Sequence, residues 1–293
     1  MKSLAGIRIL SLALNLPGPA ALMRCRRMGA TCTKLEPPSG DPMGAYNPDT
    51  YRELHEGVKV LKADLKTPEG RDAVHKHLGN TDVLLTSFRP SALAKLGLSW
   101  TELQARHPML CQVAIVGAPG MRAEEPGHDL TYLAEHGLVP ALELPATLFA
   151  DMGGSLMASE AVLQAALHLG ARYSGEGETP RGIYLEVALS DAAAYLGLPR
   201  HWGLTRATGA VGGAHAGYRV YSSKDGRVAV AALEPHFAVA LCAQAGVAAS
   251  DRNAMFAKPT HEAMARYFAG RTCDELDRIA EAHDIPLHTM RNG

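Results

Sequence analysis

Residues 6–35 read GIRILSLALNLPGPAALMRCRRMGATCTKL. The run 7–12 is mostly apolar and short, as expected of a buried strand. Asn15-Leu16-Pro17-Gly18-Pro19 turns the chain. Residues 20–28 read as a helix stopped by Gly29, and residues 31–35 alternate as a second strand. Strand, turn, helix, strand is the opening of a parallel α/β unit. Gly18 stands in the turn without a Gly-x-Gly-x-x-Gly fingerprint, so NAD is not expected there.

The alternation continues outward. Residues 58–63 form a third strand, and Thr67 before Pro68 is an N-cap with proline at the first helical position, opening a helix to Leu78. Residues 82–86 (DVLLT) are a fourth strand, leading into Ser87-Phe88-Arg89-Pro90 and a short helix that ends near Leu96-Gly97-Leu98. A helix over 100–106 and a fifth strand over 110–116 follow. A doubly wound sheet binds ligands beyond the carboxyl ends of its strands, where Ser87-Phe88-Arg89 and Gly117-Ala118-Pro119-Gly120 fall. Residues 154–169 form a helix with almost no polar face, which marks it as buried. A loop over 174–180, a strand over 182–189 and a helix opened by Ser190-Asp191 complete this part.

Composition shifts near Gly203, and 209–217 is rich in small residues. Beyond it, 218–222 and 228–233 flank Lys224-Asp225-Gly226, a hairpin signature. Helices are expected at 236–246, 260–269 and 273–283. The fold class is α/β: a large doubly wound, Rossmann-like domain over 1–205, a linker over 206–217 and a smaller α+β domain over 218–293.

Bulk properties exclude several partner classes. Net charge is −1 and no run of five like charges occurs, so neither nucleic acid nor an anionic membrane is an expected partner. No apolar run approaches the roughly 18 residues of a spanning helix. The amino-terminal apolar run has one Lys before it and no Ala-x-Ala site after it, so it reads as a strand and not a signal peptide. Cys25, Cys32, Cys111, Cys242 and Cys273 form an odd, scattered set without a CxxC. They read as free thiols of a reducing cytoplasm, with no metal site.

The chemistry concentrates in 126–151, PGHDLTYLAEHGLVPALELPATLFAD. His128-Asp129 opens a helical segment, and Asp151 precedes Gly153-Gly154. Either acid could simply cap a helix. A histidine facing a carboxylate would instead form an acid/base pair.

Eight segments, in order, resemble the family III CoA-transferases, a family that includes the α-methylacyl-CoA racemases: GIRILSLALNLPGPAA, MGATCTKLEPPSGDP, ADLKTPEGR, TDVLLTSFRPSALAKLGLSWTELQARHPML, PGHDLTYLAEHGL, ADMGGS, GGAHAGYRVYSSKDGRVAVAALEPHF and DIPLHTM. The resemblance implies an interlocked homodimer, with an active site between domains of different chains. It implies CoA thioester as substrate, with no permanently bound cofactor, and by position it makes Lys34, Phe88, Arg89 and Lys95 candidates to meet CoA. In the transferase branch, an Asp at the position of Asp151 is the covalent nucleophile. In the racemase branch, the same Asp is an acid/base, a His at the position of His128 is its opposite partner and a Glu at the position of Glu234 supports the His. This chain carries His128, Asp129, Asp151 and Glu234, and has Gly212-Gly213-Ala214-His215-Ala216-Gly217-Tyr218 in place of a polyglycine-Gln loop. The resemblance therefore implies a 2-methylacyl-CoA racemase or epimerase working by two-base proton transfer. CoA transfer to a carboxylic acid is the alternative, and a non-catalytic CoA-binding homologue is a third reading. Full members continue past the segment matching Asp284-Ile285-Pro286-Leu287-His288, so the small domain is expected to be shortened at its carboxyl end.

Overall fold

The computed structural model describes residues 2–139, 141–170, 181–248 and 253–291. The chain forms two compact units, one ending at Gly197 and one beginning at Leu198. The segment 206–217, expected as a linker, lies within the second unit.

The first unit is built on β1 (Arg8–Ser11), α1 (Pro17–Arg27), β2 (Thr31–Glu36), α2 (Met43–Tyr46), α3 (Pro48–Leu54), β3 (Lys59–Lys62), α4 (Pro68–Leu78) and β4 (Val83–Thr86). It continues with α5 (Pro90–Lys95), α6 (Trp100–Arg106), β5 (Cys111–Val116), α7 (Asp129–Glu135), α8 (Phe149–Gly170), β6 (Tyr184–Ala188) and α9 (Leu189–Leu196). The six strands form one sheet in the order β3-β2-β1-β4-β5-β6, and every neighbouring pair is parallel. The order reverses between β1 and β4, and this switch point is where an open α/β sheet leaves a crevice.

Alternate residues of the central strands feed two cores. Ile9, Val83, Leu85, Val113 and Ile115 pack with Leu22 and Cys25 of α1, Leu133 of α7, and Ala158, Val162 and Ala165 of α8. Leu10 and Leu84 face the other way, onto Val74 and Leu78 of α4, Leu93 of α5 and Leu103 of α6. The period-two side-chain alternation of a strand makes this three-layer arrangement.

Two local outcomes matter for the site. α8 starts at Phe149, five residues before the helix expected at 154. Gly153 and Gly154 do not break it; a Cβ on Gly154 would sit 2.3 Å from Leu189 Cδ2. The glycines let α9 approach α8 closely. The loop expected over 174–180 lies outside the described residues.

The second unit opens with α10 (Leu198–His201) and contains β7 (Tyr218–Ser222), β8 (Gly226–Ala231), α11 (Pro235–Ala245), α12 (Lys258–Ala269), α13 (Cys273–His283) and β9 (Leu287–Arg291). Its strands form an antiparallel sheet in the order β7-β8-β9. Tyr221, Val228 and Val230 pack against Leu241, Met264, Phe268 and Leu276 from the three long helices. The hairpin turn closes with the Ser223 N–H donating to Gly226 O at 3.0 Å, as the Asp-Gly signature implied.

Candidate active site

His128, Asp129 and Asp151 come together at the start of α8. His128 is the N-cap of α7, in extended backbone. Thr131 Oγ1 fixes it twice, accepting from the His128 N–H at 3.1 Å and donating to its carbonyl at 2.7 Å. Asp129, the next residue, is buried. Its carboxylate is not used on α7: Oδ1 accepts from the Asp151 N–H at 2.9 Å. The first N–H groups of a helix have no intrahelical partner, so Asp129 acts as a distant cap for α8. It also anchors the His128 turn to the helix that carries Asp151.

Asp151 is half-buried, and its own carboxylate accepts no hydrogen bond among the described residues. Burial first, and then the charge on Asp129, raise its pKa from 3.8 to about 6, with His128 opposing both. A carboxyl that is desolvated beside a like charge holds its proton into the range where acid and base forms coexist near neutral pH. The His128 ring is exposed. The pair thus places a solvent-facing imidazole within electrostatic reach of the Asp151 carboxyl.

Two tyrosines that sequence reading passed over join this site. Tyr132, one helical turn after His128, is buried, and the nearby charges of Asp151 and Arg89 both bear on its hydroxyl. Its hydroxyl fills the space a Cβ would take at Gly117 or Gly127, 2.3 and 2.6 Å away. The i, i+4 spacing from His128 was the available signal. Tyr46, at the end of α2, is 65% exposed, and Asp41 and Asp151 raise its pKa after the effect of burial. Nothing in its local sequence marks it.

Arg89 is the N-cap of α5 at the carboxyl end of β4. It is exposed, and no acid pairs with it among the described residues. Glu124 lies near both Arg89 and Lys95 but is bonded to Ser91, whose N–H and hydroxyl each donate to it at 2.7 Å. Lys95 is exposed in the last turn of α5, and Phe88 is half-buried against the α4–α6 core. An unpaired guanidinium at a strand's carboxyl end is suited to a phosphate.

Lys34 departs from its expected role. Its side chain is fully buried, with Nζ 2.5 Å from Asp41 Oδ2, 2.8 Å from His55 Nε2 and 3.3 Å from Glu36 Oε1. The ammonium has three donors and three acceptors, which leaves it no face for CoA phosphate. Glu36, Asp41 and His55 would otherwise resemble a metal-ligand trio; here the cation among them is Lys34. The reason is tertiary: the loop after β2 folds back over the strand's buried face. Glu234 is exposed at the N-cap of α11 in the second unit.

Residues 4–292 match the profile of CoA-transferase family III. The chain belongs to this family. A CaiB/baiF CoA-transferase family protein of Caenorhabditis elegans is 27% identical, the match covering 99% of this chain and 90% of that protein. The succinate–glutarate CoA-transferase of Agrobacterium fabrum is 30% identical over 64% of this chain, and the succinyl-CoA–D-citramalate CoA-transferase of Chloroflexus aurantiacus is 32% identical over 62%. These matches span about half of those two enzymes, 51% and 50%. Among solved structures, a CAIB/BAIF family protein from Brucella suis superposes with a TM-score of 0.79 at 23% identity, covering 99% of this chain and 84% of that one. That likeness bears on the fold of this family III chain, an α/β architecture with a parallel six-stranded sheet. Among the described residues, no helix is long and apolar enough to cross a membrane.

Proposed function

We propose that this family III protein acts on acyl-CoA thioesters, with Asp151 as the reacting carboxyl group. The observation that carries this is the pairing of Asp151, its pKa raised to about 6, with the exposed His128 imidazole. The two groups fit a 2-methylacyl-CoA racemase or epimerase. The thioester carbonyl acidifies the α-proton; one group removes it, giving an enolate, and the other returns a proton to the opposite face. General acid/base groups work best with a pKa near the working pH, which favours this reading for Asp151. Arg89, with Lys95 and Phe88 beside it, would hold the CoA moiety.

The transferase names of the relatives favour a second reading. The Asp151 carboxylate attacks the thioester carbonyl, expelling CoA thiolate and leaving an acyl-aspartyl anhydride. CoA thiolate then attacks the aspartyl carbonyl and expels the acyl group as a carboxylate; an acceptor carboxylate attacks the aspartyl-CoA thioester, expelling the thiolate, which attacks the acceptor's acyl carbon and frees Asp151. Incubating the protein with 2-methylbutanoyl-CoA in D₂O, beside a CoA-transfer assay to carboxylic acids, separates the two. Deuterium at Cα without CoA transfer is expected. CoA transfer without Cα exchange, with a hydroxylamine-trapped adduct on Asp151, would replace the racemase reading with the transferase one.

The proposal includes a homodimer, as the family resemblance implies. Light scattering should then give twice the 31.1 kDa chain mass. It also includes a cytoplasmic location, supported by the burial of all five cysteines.

A further inference from the structure

The buried Lys34 cluster has no role in the chemistry above, yet its ammonium meets three buried acceptors. The His55 Nδ1–H donates to Tyr51 O at 2.7 Å, so Nε2 is the face that accepts from Lys34. Burial lowers the His55 pKa, which keeps that face unprotonated. Glu36 Oε1 accepts from the Tyr51 hydroxyl at 2.8 Å, and its Oε2 accepts from the Asp41 N–H at 3.2 Å. Asp41 Oδ1 then accepts from Met43 N–H at 2.9 Å and from Asn15 N–H at 3.1 Å. One buried ammonium thereby ties β2, α3 and the start of α2 to the loop between β1 and α1.

That loop has a specific shape. Asn15 has φ +62°, a left-handed conformation that asparagine adopts more readily than most side-chain-bearing residues. It leads into Pro17-Gly18, where a Cβ on Gly18 would fall 2.1 Å from Ala13 Cβ. The Asn15 N–H bond to Asp41 holds this residue in place.

The end of that loop lies at the level of Asp151 on the neighbouring helix. α1 and α8 both run from the carboxyl edge of the sheet to its amino edge, and Arg24 Nε donates to Ser159 Oγ at 3.1 Å across them. Leu16 precedes Arg24, and Asp151 precedes Ser159, by the same eight positions. With an equal rise of ~1.5 Å per residue, the start of α1 arrives level with Asp151. Tyr46, two residues beyond the Asp41-anchored turn of α2, feels the Asp151 charge as well.

We propose that Lys34, Asp41 and His55 form a buried positioning network that fixes the 13–18 loop as the wall facing Asp151, and so sets how the thioester lies against that carboxyl. This rests on the reading of Asp151 as the reacting group. Lys34 is then a positioning residue whose cation replaces a metal ion in a three-acceptor cage.

The test uses Asp41→Asn in the full chain, which retains volume but cannot accept from Lys34, Asn15 and Met43 together. His55→Gln, which keeps an acceptor for Lys34, is the rescue control and His55→Leu its counterpart. Amide hydrogen exchange of 13–18 is measured with and without butanoyl-CoA, and kcat and KM are measured for the active acyl-CoA. Expected for wild type is thioester-induced protection of 13–18, lost in Asp41→Asn. With it, kcat falls 10- to 100-fold while KM stays within twofold; His55→Gln behaves as wild type and His55→Leu as Asp41→Asn. Unchanged kcat despite faster loop exchange would overturn the proposal, as would absence of thioester protection of 13–18 in wild type. A folded Asp41→Asn with unaltered loop exchange would do the same. Failure of the Asp151 reading looks different: wild type shows neither Cα exchange nor CoA transfer, whatever the loop amides do.

Discussion

The raised pKa of Asp151 makes a stability prediction independent of any substrate. In the unfolded chain this carboxyl titrates at 3.8; in the folded one it titrates at about 6. Between those values the folded protein binds a proton that the unfolded chain has released, so stability falls as pH rises through this window. The contribution is fully present below pH 3.8 and lost above about pH 6. A tenfold difference in proton affinity corresponds to about 1.4 kcal/mol, which sets an upper limit near 3 kcal/mol for the cost of ionising Asp151. Asp151 is half-buried, so screening by solvent reduces this to about 1–2 kcal/mol. Asp151→Asn preserves the shape and the backbone N–H that bonds Asp129, and removes the charge. It is therefore expected to stabilise the protein at pH 8 by about 1–2 kcal/mol and to change stability little at pH 4, while abolishing activity. Urea denaturation followed by circular dichroism at the two pH values measures this. A variant no more stable than wild type at pH 8, or stabilised equally at both, would refute the account of Asp151 as a desolvated, charge-opposed acid.

Asp129→Asn keeps an acceptor for the Asp151 N–H and removes the neighbouring charge, so the acid limb of the kcat–pH profile should move to lower pH; a limb that stays in place would show that Asp129 acts only as a cap. His128→Ala should lower α-proton exchange by about 10²–10⁴-fold with an unchanged circular dichroism spectrum. A mild effect there, with CoA transfer intact, would point to the transferase chemistry. Arg89→Ala should weaken CoA binding by about 1.5–3 kcal/mol, read by calorimetry; unaltered affinity would remove Arg89 from the site.

Much of the scaffold was legible locally. The Thr67-Pro68 signal marks the start of α4, where Thr67 Oγ1 accepts from the Gly70 N–H at 3.1 Å. The helix over 100–106 runs Trp100–Arg106, behind a Ser99–Glu102 capping box. Apolar runs bounded by turns mark β1, β4 and β5 because those strands are largely buried, and alternation over 31–35 marks β2. Other elements escaped. β9, Leu287–Arg291, joins the small sheet although only its Leu287 and Met290 are strongly apolar, and it is specified by its pairing with β8. α2 and α3 are short pieces between prolines, and α3 is set by the Asn47 cap and packing of Leu54 with Ala20 and Met43.

Sequence by itself marked the candidate residues: His128, Asp129 and Asp151 by residue type, turn signals and family motif, and Arg89 by its place after a strand. Tertiary structure decided what each of them touches. Asp129 looks from its neighbours like the cap of its own helix, yet its carboxylate holds the α8 amide 22 positions along. Lys34 occupies a strand position, where local pattern gives only a side-chain face. Whether that face meets solvent or a buried cage depends on Asp41 and His55, 7 and 21 residues later. Residue type and spacing are local properties, whereas desolvation and ion pairing depend on which distant backbone closes over a side chain, and that is settled only when the layers pack.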